Sequence, residues 1–255
     1  MTLNSKKEEY LIYKLADNMK NCIKIDADLF RKLDVKRGLR NEDGTGVLVG
    51  LTNIGNVVGY ERTENGLKPI EGKLYFRGYE ISDLVHAVLN EQRFGFEEIA
   101  YLLLSGGLPD AEELEQFRHL LVGNMPLMSK TMLNIVELEG TDIMNILARS
   151  VLELYTYDNT PDDISRENLM RQSVELISKF PTIIAYAYNM LRHKTFGRSL
   201  HIRHPKENFS LAENFLYMLL GNNYTPLDAR TLDLLLILQA EHGGGNNSTF
   251  TTHLV

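Results

Sequence analysis

The chain has 255 residues, 44% of them hydrophobic, which excludes a disordered chain and allows one large domain, or one domain with part of another. Its net charge of −7 argues against nucleic acid as a partner, because binding to a phosphate backbone requires a basic face. Its single cysteine, Cys22, excludes an intrachain disulfide and a cysteine-rich zinc site.

The first segment in chain order, residues 1–44, is predicted to be helical. Near its start Lys6 and Lys7 are followed by Glu8 and Glu9, which is unlike a signal or transit peptide. The chain contains no apolar run of about 18 residues that could cross a membrane. We therefore expect a cytoplasmic protein with no membrane partner, and a lone cysteine fits that reducing compartment.

A small β element is predicted between Thr45 and Gly78. Turn signals at Asn65-Gly66 and Glu71-Gly72 separate short runs of residues that favour strands. The predicted strands are Val47–Val49, Val57–Tyr60 and Lys73–Phe76. We expect them to form a small sheet or hairpin ahead of the helices.

Helical periodicity dominates after residue 80. Apolar residues recur three and four positions apart, which predicts helices with one face in a core. The predicted helices cover Ile81–Leu89, Phe96–Leu103, Leu114–Leu121, Asp142–Tyr155 and Asn168–Arg192. We expect the last of these to be kinked or broken at Pro181, because proline removes an intrahelical hydrogen-bond donor.

Two further helices are predicted from their first residues. The capping box Ser210–Glu213 opens a helix that ends at Gly221. Thr225-Pro226 opens the next helix, with threonine as the N-cap and proline as the first helical residue. The segment Leu232–Leu238 of that helix is apolar nearly all round, so we expect it to be buried on every side.

A basic run follows the longest predicted helix. It has eight basic or titratable residues within fifteen positions: Arg192, His193, Lys194, Arg198, His201, Arg203, His204 and Lys206. Such a run could hold an anionic ligand. A solvated connecting loop is the favoured interpretation, because runs of charge are usually surface.

The run Ala240–Phe250 carries the strongest chemical signal. His242 follows directly on a predicted helix, whose C-terminal carbonyls favour a cationic imidazole. Gly243–Gly245 can expose backbone N–H groups, and Asn246 can cap a following helix. The run suits a small carboxylate ligand or a carbonyl that needs polarisation. The alternative is a plain helix C-cap linking two buried helices. No usual ligand spacing connects His242 with His253, so no metal site is predicted.

Several segments together resemble one known family. The run Leu232–Phe250 has the pattern of a buried helix that ends in a histidine, followed by a glycine turn, an asparagine and small polar residues. In this it resembles the signature of the citrate synthases. Four other segments are similar to elements of that family and occur in the family's order: Gly72–Tyr79, Phe96–Pro109, Pro181–Tyr186 and Ala212–Leu216.

The resemblance implies an all-α fold with a small N-terminal β element, in which residues 45–255 form part of the multi-helical large domain of a citrate synthase and the small domain is absent. It implies condensation of acetyl-CoA with oxaloacetate to citrate and CoA, an acyl transfer of the tricarboxylic acid cycle, by a homodimer without a further cofactor. His242 and Asn246 are implied as contacts of oxaloacetate. The family's two catalytic histidines and its catalytic aspartate are expected beyond Val255, so we expect this chain alone to bind oxaloacetate poorly and to catalyse little or nothing.

Four positions depart from the family pattern. Gln239 stands where many members have histidine, Glu241 where many have aspartate, Gly243 where many have glutamate, and His253 where many bacterial members have arginine. Gln239 matters most, because glutamine cannot become cationic. Two alternatives therefore stay open: a non-catalytic helical module for dimerisation or interaction, and a 2-methylcitrate synthase that prefers propionyl-CoA.

Overall fold

A computed structural model of the chain describes Lys14, Thr251 and residues 27–32, 52–64, 66–137 and 142–241. The chain divides into two compact units, one of Met1–Leu51 with Gly245–Val255 and the other of Thr52–Gly244. The described helix of the first unit is α1 (Ala27–Lys32). The predicted division into residues 1–44 and 45–255 stays a prediction.

The second unit begins with an antiparallel sheet of three strands. Its strands are β1 (Gly55–Thr63), β2 (Gly66–Phe76) and β3 (Tyr79–Glu80), paired in that order. Gly55 lies opposite Phe76 and Thr63 opposite Gly66, so the chain reverses between Thr63 and Gly66, where the Asn65-Gly66 signal predicted a turn. The predicted β element is confirmed, although the run Val47–Val49 lies outside the described residues.

The Glu71-Gly72 turn prediction is wrong, because both residues lie inside β2. The register of the hairpin shifts between Val58 and Tyr60, whose partners are Lys73 and Pro69. One residue of β1 therefore faces three residues of β2, which is a bulge. Gly72 lies at this bulge inside a strand, whereas the sequence pattern predicted a turn.

The helices of this unit follow the sheet and confirm the all-α class. They are α2 (Ile81–Asn90), α3 (Phe96–Ser105), α4 (Ala111–Asn124), α5 (Ser129–Glu137), α6 (Ile143–Tyr157), α7 (Arg166–Phe196), α8 (Leu211–Leu220) and α9 (Pro226–Leu238). The predicted starts of the last two are confirmed, since Ser210 and Thr225 each form a complete capping box. None of the described helices is both long and apolar enough to cross a bilayer.

Helix α7 runs unbroken for 31 residues through Pro181, so the predicted break does not occur. Side chains next to the proline are held by neighbouring elements: the Thr182 hydroxyl donates to the Met125 carbonyl at 2.9 Å. Ile183 and Tyr186 are buried in the main core, which α4, α5, α6 and α8 build around this helix. Tertiary packing thus outweighs the one hydrogen bond that proline removes.

A second cluster of buried residues connects the sheet to α9. It consists of Phe76, Leu84, Val88, Ile99, Leu102 and Ile237. Because Ile237 lies near the C-terminal end of α9, this cluster fixes the end of the helix against β2, α2 and α3.

The expectation that α9 is buried on every side is wrong for the described part of the chain. Ala229, Asp233 and Ile237 are buried, whereas Leu235 and Leu238 are exposed. The buried residues follow one another at four-residue intervals, which is one face of a helix. The elements that pack on α9 within this unit, α2, α3 and α8, occupy that face.

Candidate functional site

The two residues predicted to bind oxaloacetate, His242 and Asn246, lie outside the described residues, so their placement stays a prediction. The helix that precedes them in the chain, α9, ends at Leu238, and the chain is described as far as Glu241. The described part of this region consists of the C-terminal end of α9 and the groups that hold this helix.

The last turn of α9 tightens before the predicted site. The Gln239 N–H donates to the Leu235 carbonyl, and the Ala240 N–H donates to the Ile237 carbonyl, each at 3.2 Å. The second bond spans three residues, as in a 3₁₀ turn. The helix thus ends at Leu238, four positions before His242, and its terminal carbonyls give that end the partial negative charge that favours a cation.

A carboxylate in the middle of α9 holds the start of α3. Asp233 Oδ2 accepts from the Gly95 N–H at 2.8 Å, and Oδ1 accepts from the Phe96 N–H at 3.1 Å. Asp233 is only 1% exposed. Burial raises the pKa of Asp233 to about 6, and the nearby Glu97 adds to this rise, while the two backbone donors oppose it.

The contact between α9 and the start of α3 is also a close steric fit. A Cβ atom at Gly95 would lie 2.3 Å from Val88 Cγ2 and 3.1 Å from Ile237 Cδ1. Any side chain at this position would therefore push α2 or α9 away. The φ of Gly95, −125°, is open to other residues, so the backbone conformation does not require glycine here. The close approach of the neighbouring side chains does.

A second buried carboxylate lies beside the first. Glu97 Oε1 accepts from the Leu211 N–H at 2.7 Å, at the first residue of α8, while Oε2 is buried without a hydrogen-bond partner. Arg118 donates to the Phe94 carbonyl at 3.1 Å just before α3. The starts of α3 and α8 are thus each held by an acidic side chain from a different helix.

Neither carboxylate was predicted from the sequence. Asp233 had a visible signal, because it is the one charged residue in the apolar run Leu232–Leu238. A charge in such a run is expected to have a buried partner. Glu97 had no such signal, because an acidic residue in the first turn of a helix is usually explained by the helix dipole alone.

The basic run begins inside α7, which ends at Phe196, and its later residues lie in a connecting loop, as the favoured interpretation predicted. Arg203 Nη1 donates to the Met218 carbonyl at 3.3 Å near the end of α8. Lys206 Nζ lies 4.1 Å from the centre of the Tyr217 ring and 4.6 Å from that of Phe209. These two cations bind groups of the chain itself and attach the loop to α8.

A cavity of about 450 Å³ is lined by residues of α6 and α7 and of the loop between them. At its edge Arg171 Nη2 donates to both oxygens of Asp158 at 2.7 Å. The hydrogen bond from Arg171 holds the pKa of Asp158 well below its usual range, with help from Gln172 and the Thr160 backbone. This charge is satisfied within the protein, so it ties the loop to α7. Among the described residues, no group of three or more His, Cys, Asp or Glu side chains is arranged to hold a metal.

Comparison with known proteins relates this architecture to one family. The family model described as "Citrate synthase, C-terminal domain" matches residues 42–255. The chain is 36% identical to citrate synthase of Deinococcus radiodurans over 186 residues, which are 71% of this chain and 48% of that protein. It is 30% identical to citrate synthase 2 of Bacillus subtilis over 187 residues, 72% of this chain and 47% of that protein.

The fold is similar as well. The crystal structure of citrate synthase from Pyrobaculum aerophilum matches with a TM-score of 0.68 and 29% identity, over 85% of this chain and 52% of that one. The chain thus spans about half the length of the proteins it matches.

Proposed function

The chain belongs to the citrate synthase family, and from this premise we propose that the protein condenses acetyl-CoA with oxaloacetate to give citrate and CoA. The observation that carries the proposal is the family match over residues 42–255, because this range includes the histidine, the glycines and the asparagine of the predicted site. The proposed reaction consumes one water and requires no cofactor besides its two substrates.

In the proposed site His242 and Asn246 contact oxaloacetate. An imidazole and a side-chain amide offer hydrogen-bond donors to the carboxylates and the keto oxygen of this substrate. Donors aimed at an oxygen that gains negative charge lower the barrier to attack on its carbonyl carbon. The described end of α9 supports this role, because the helix that leads to His242 is fixed by buried contacts at Asp233 and Ile237.

The test is the release of free CoA thiol by the protein expressed from its native reading frame. We expect thiol release that requires both oxaloacetate and acetyl-CoA. Replacing acetyl-CoA by propionyl-CoA is expected to slow the reaction; a faster rate with propionyl-CoA would instead identify a 2-methylcitrate synthase.

A pair of histidine variants links the activity to the predicted residue. His242→Ala is expected to weaken oxaloacetate binding roughly tenfold or more, because a hydrogen bond to a charged ligand is lost. His119→Ala removes an exposed histidine on α4 and is expected to change nothing. Absence of thiol release together with equal behaviour of both variants would favour the non-catalytic module.

We further propose that the protein acts as a homodimer in the cytoplasm. Helix α6 buries Ile146 and Ser150 on one face. Its opposite face carries an exposed stripe of Met144, Ala148, Leu152 and Tyr155, spaced four, four and three residues apart. Leu152 is 69% exposed. A stripe of this kind on the second face of a helix suits burial against the same stripe of a second copy.

A further inference from the structure

We infer that Asp233 is a positioning residue: by capping α3 from α9, it fixes the end of the helix from which the chain continues to His242. The inference rests on the proposed function, since the role of His242 belongs to that proposal. The contact group of Asp233, Ile237, Gly95 and Phe96 is called the α9 clamp below.

The polar half of the clamp replaces a missing helix cap. Gly95 is the N-cap of α3 and offers no side chain to the free N–H groups of the first turn. Asp233 accepts two of these groups, from Gly95 and Phe96, with one carboxylate oxygen each. An N-cap usually comes from the same chain segment, but this one comes from a residue 137 positions away. The start of α3 and the middle of α9 are thereby joined by two charge-assisted hydrogen bonds.

The apolar half of the clamp lies one helical turn further along α9. Ile237 follows Asp233 by four positions, so both side chains lie on the same face of the helix. Ile237 is fully buried and reaches to within 3.1 Å of the place where a Cβ of Gly95 would lie. The absence of a side chain at Gly95 lets α9 approach α3 closely enough for both contacts to form.

The clamp acts where the proposed site needs it. Asp233 precedes the last residue of α9, Leu238, by five positions, which is a distance of roughly 7.5 Å along the helix axis. On the opposite face Leu235 and Leu238 are exposed, so the buried face determines where this end of the helix lies. A substrate contact shifted by about 1 Å can lose much of its effect. A loosened clamp is therefore expected to weaken the oxaloacetate contact without touching the ligand.

The first experiment needs no ligand. Asp233→Asn keeps the side-chain shape but turns one acceptor into a donor that faces an N–H group. Hydrogen exchange measured by mass spectrometry is expected to become at least several-fold faster at residues 96–99 and 234–241. Asp228→Asn is the matched control, because Asp228 lies on the same helix in the exposed capping box of Thr225. Asp228→Asn is expected to change hydrogen exchange only at residues 226–229. Unchanged exchange at residues 234–241 in Asp233→Asn would overturn the inference.

The second experiment uses the protein expressed from its native reading frame and measures its oxaloacetate affinity by calorimetry at a temperature at which all variants are fully folded. Asp233→Asn is expected to weaken binding roughly tenfold, whereas Asp228→Asn leaves it unchanged. Ile237→Val removes one methylene from the apolar half and is expected to weaken binding less, about twofold to threefold. Leu235→Val, at an exposed position of the same helix, is its control and is expected to have no effect.

The outcomes separate the two proposals. Wild-type protein, expressed from its native reading frame, that does not bind oxaloacetate refutes the proposed function, while the exchange data still decide whether the clamp exists. Wild-type protein that binds oxaloacetate, together with an Asp233→Asn variant of equal affinity, refutes the positioning role and leaves the proposed function standing. If Asp233→Asn does not fold, Ile237→Val against Leu235→Val gives the same decision.

Discussion

The guanidinium group of Arg77 donates two hydrogen bonds to the Leu103 carbonyl, from Nε at 3.2 Å and from Nη2 at 2.8 Å. This carbonyl belongs to the last turn of α3, where helix carbonyls lack intrahelical partners. Arg77 has a φ of 49° and Gly78 a φ of 90°, so the turn between β2 and β3 directs the side chain away from the sheet toward α3. The Arg-Gly-Tyr element of the sequence therefore joins the sheet to the helices.

Replacing Arg77 by lysine is expected to destabilise the chain. The ammonium group of lysine cannot make the two bonds that converge on one carbonyl oxygen together with the third bond that Arg77 Nη1 makes to Asn53 Oδ1. A loss of about 1–3 kcal/mol in the unfolding free energy is expected, and urea denaturation measures it. Lys68→Arg, at an exposed ion pair of β2, is the control and should be close to neutral. Equal midpoints for Arg77→Lys and wild type would contradict this role.

The buried carboxylate of Asp233 predicts a stability that falls as the pH rises from 5 to 7. Its pKa is raised by burial from 3.8 to about 6. The folded chain therefore holds this proton more tightly than the unfolded chain does, and the stabilising contribution is present below pH 3.8 and is lost as the pH rises through 6. The charged groups that face Asp233 from other helices are Glu97 and Arg118.

The measurement compares wild type with Asp233→Asn, which has no such titration. The difference between their unfolding free energies is expected to shift by about 1 kcal/mol against the wild type between pH 5 and pH 7. Chemical denaturation at both pH values gives this difference, and titrations common to both proteins cancel. A difference that does not change with pH would show that Asp233 titrates near its ordinary value.

The ion pair between Asp158 and Arg171 predicts the opposite dependence on pH. The pKa of Asp158 is held below its usual range by Arg171, so its stabilising contribution is present above the ordinary carboxyl range and is lost as the pH falls through its folded value. Asp158→Asn is expected to lower the denaturation midpoint at pH 7 but to have little effect in strong acid. Glu167→Gln, an exposed position at the start of α7, is the control. Equal losses at both pH values would refute an electrostatic role.

The proposed dimer contact through the exposed stripe on α6 predicts that the oligomeric state depends on Leu152. Leu152→Asp would place a charge in the proposed contact between two copies, where it could not be solvated. It is therefore expected to raise the dissociation constant of the dimer roughly tenfold or more. Leu227→Asp is the matched control, because Leu227 on α9 is 73% exposed and lies outside the stripe. Sedimentation velocity over a concentration series distinguishes them. An unchanged distribution for Leu152→Asp would remove this face as the interface.

Features that depend on neighbours in the chain could be predicted from the sequence. Ser210 and Thr225 begin their helices through hydrogen bonds to residues three positions ahead, so the capping pattern was sufficient. The hairpin turn between Thr63 and Gly66 followed in the same way, because a glycine, here Gly66 with a φ of 110°, is a local turn signal. The order of motifs also identified the family, which the match over residues 42–255 confirms.

Features that depend on distant partners were decided by the tertiary structure. Pro181 lies within an unbroken helix because neighbouring helices pack around that segment. The bulge at Glu71-Gly72 comes from its pairing with β1, and the exposed side of α9 comes from the positions of α2, α3 and α8. Asp233 shows the reason most directly: its partners, the N–H groups of Gly95 and Phe96, are more than 130 residues away in the chain. A local pattern records which residues favour a helix, but only folding brings a carboxylate on one helix to the free donors of another.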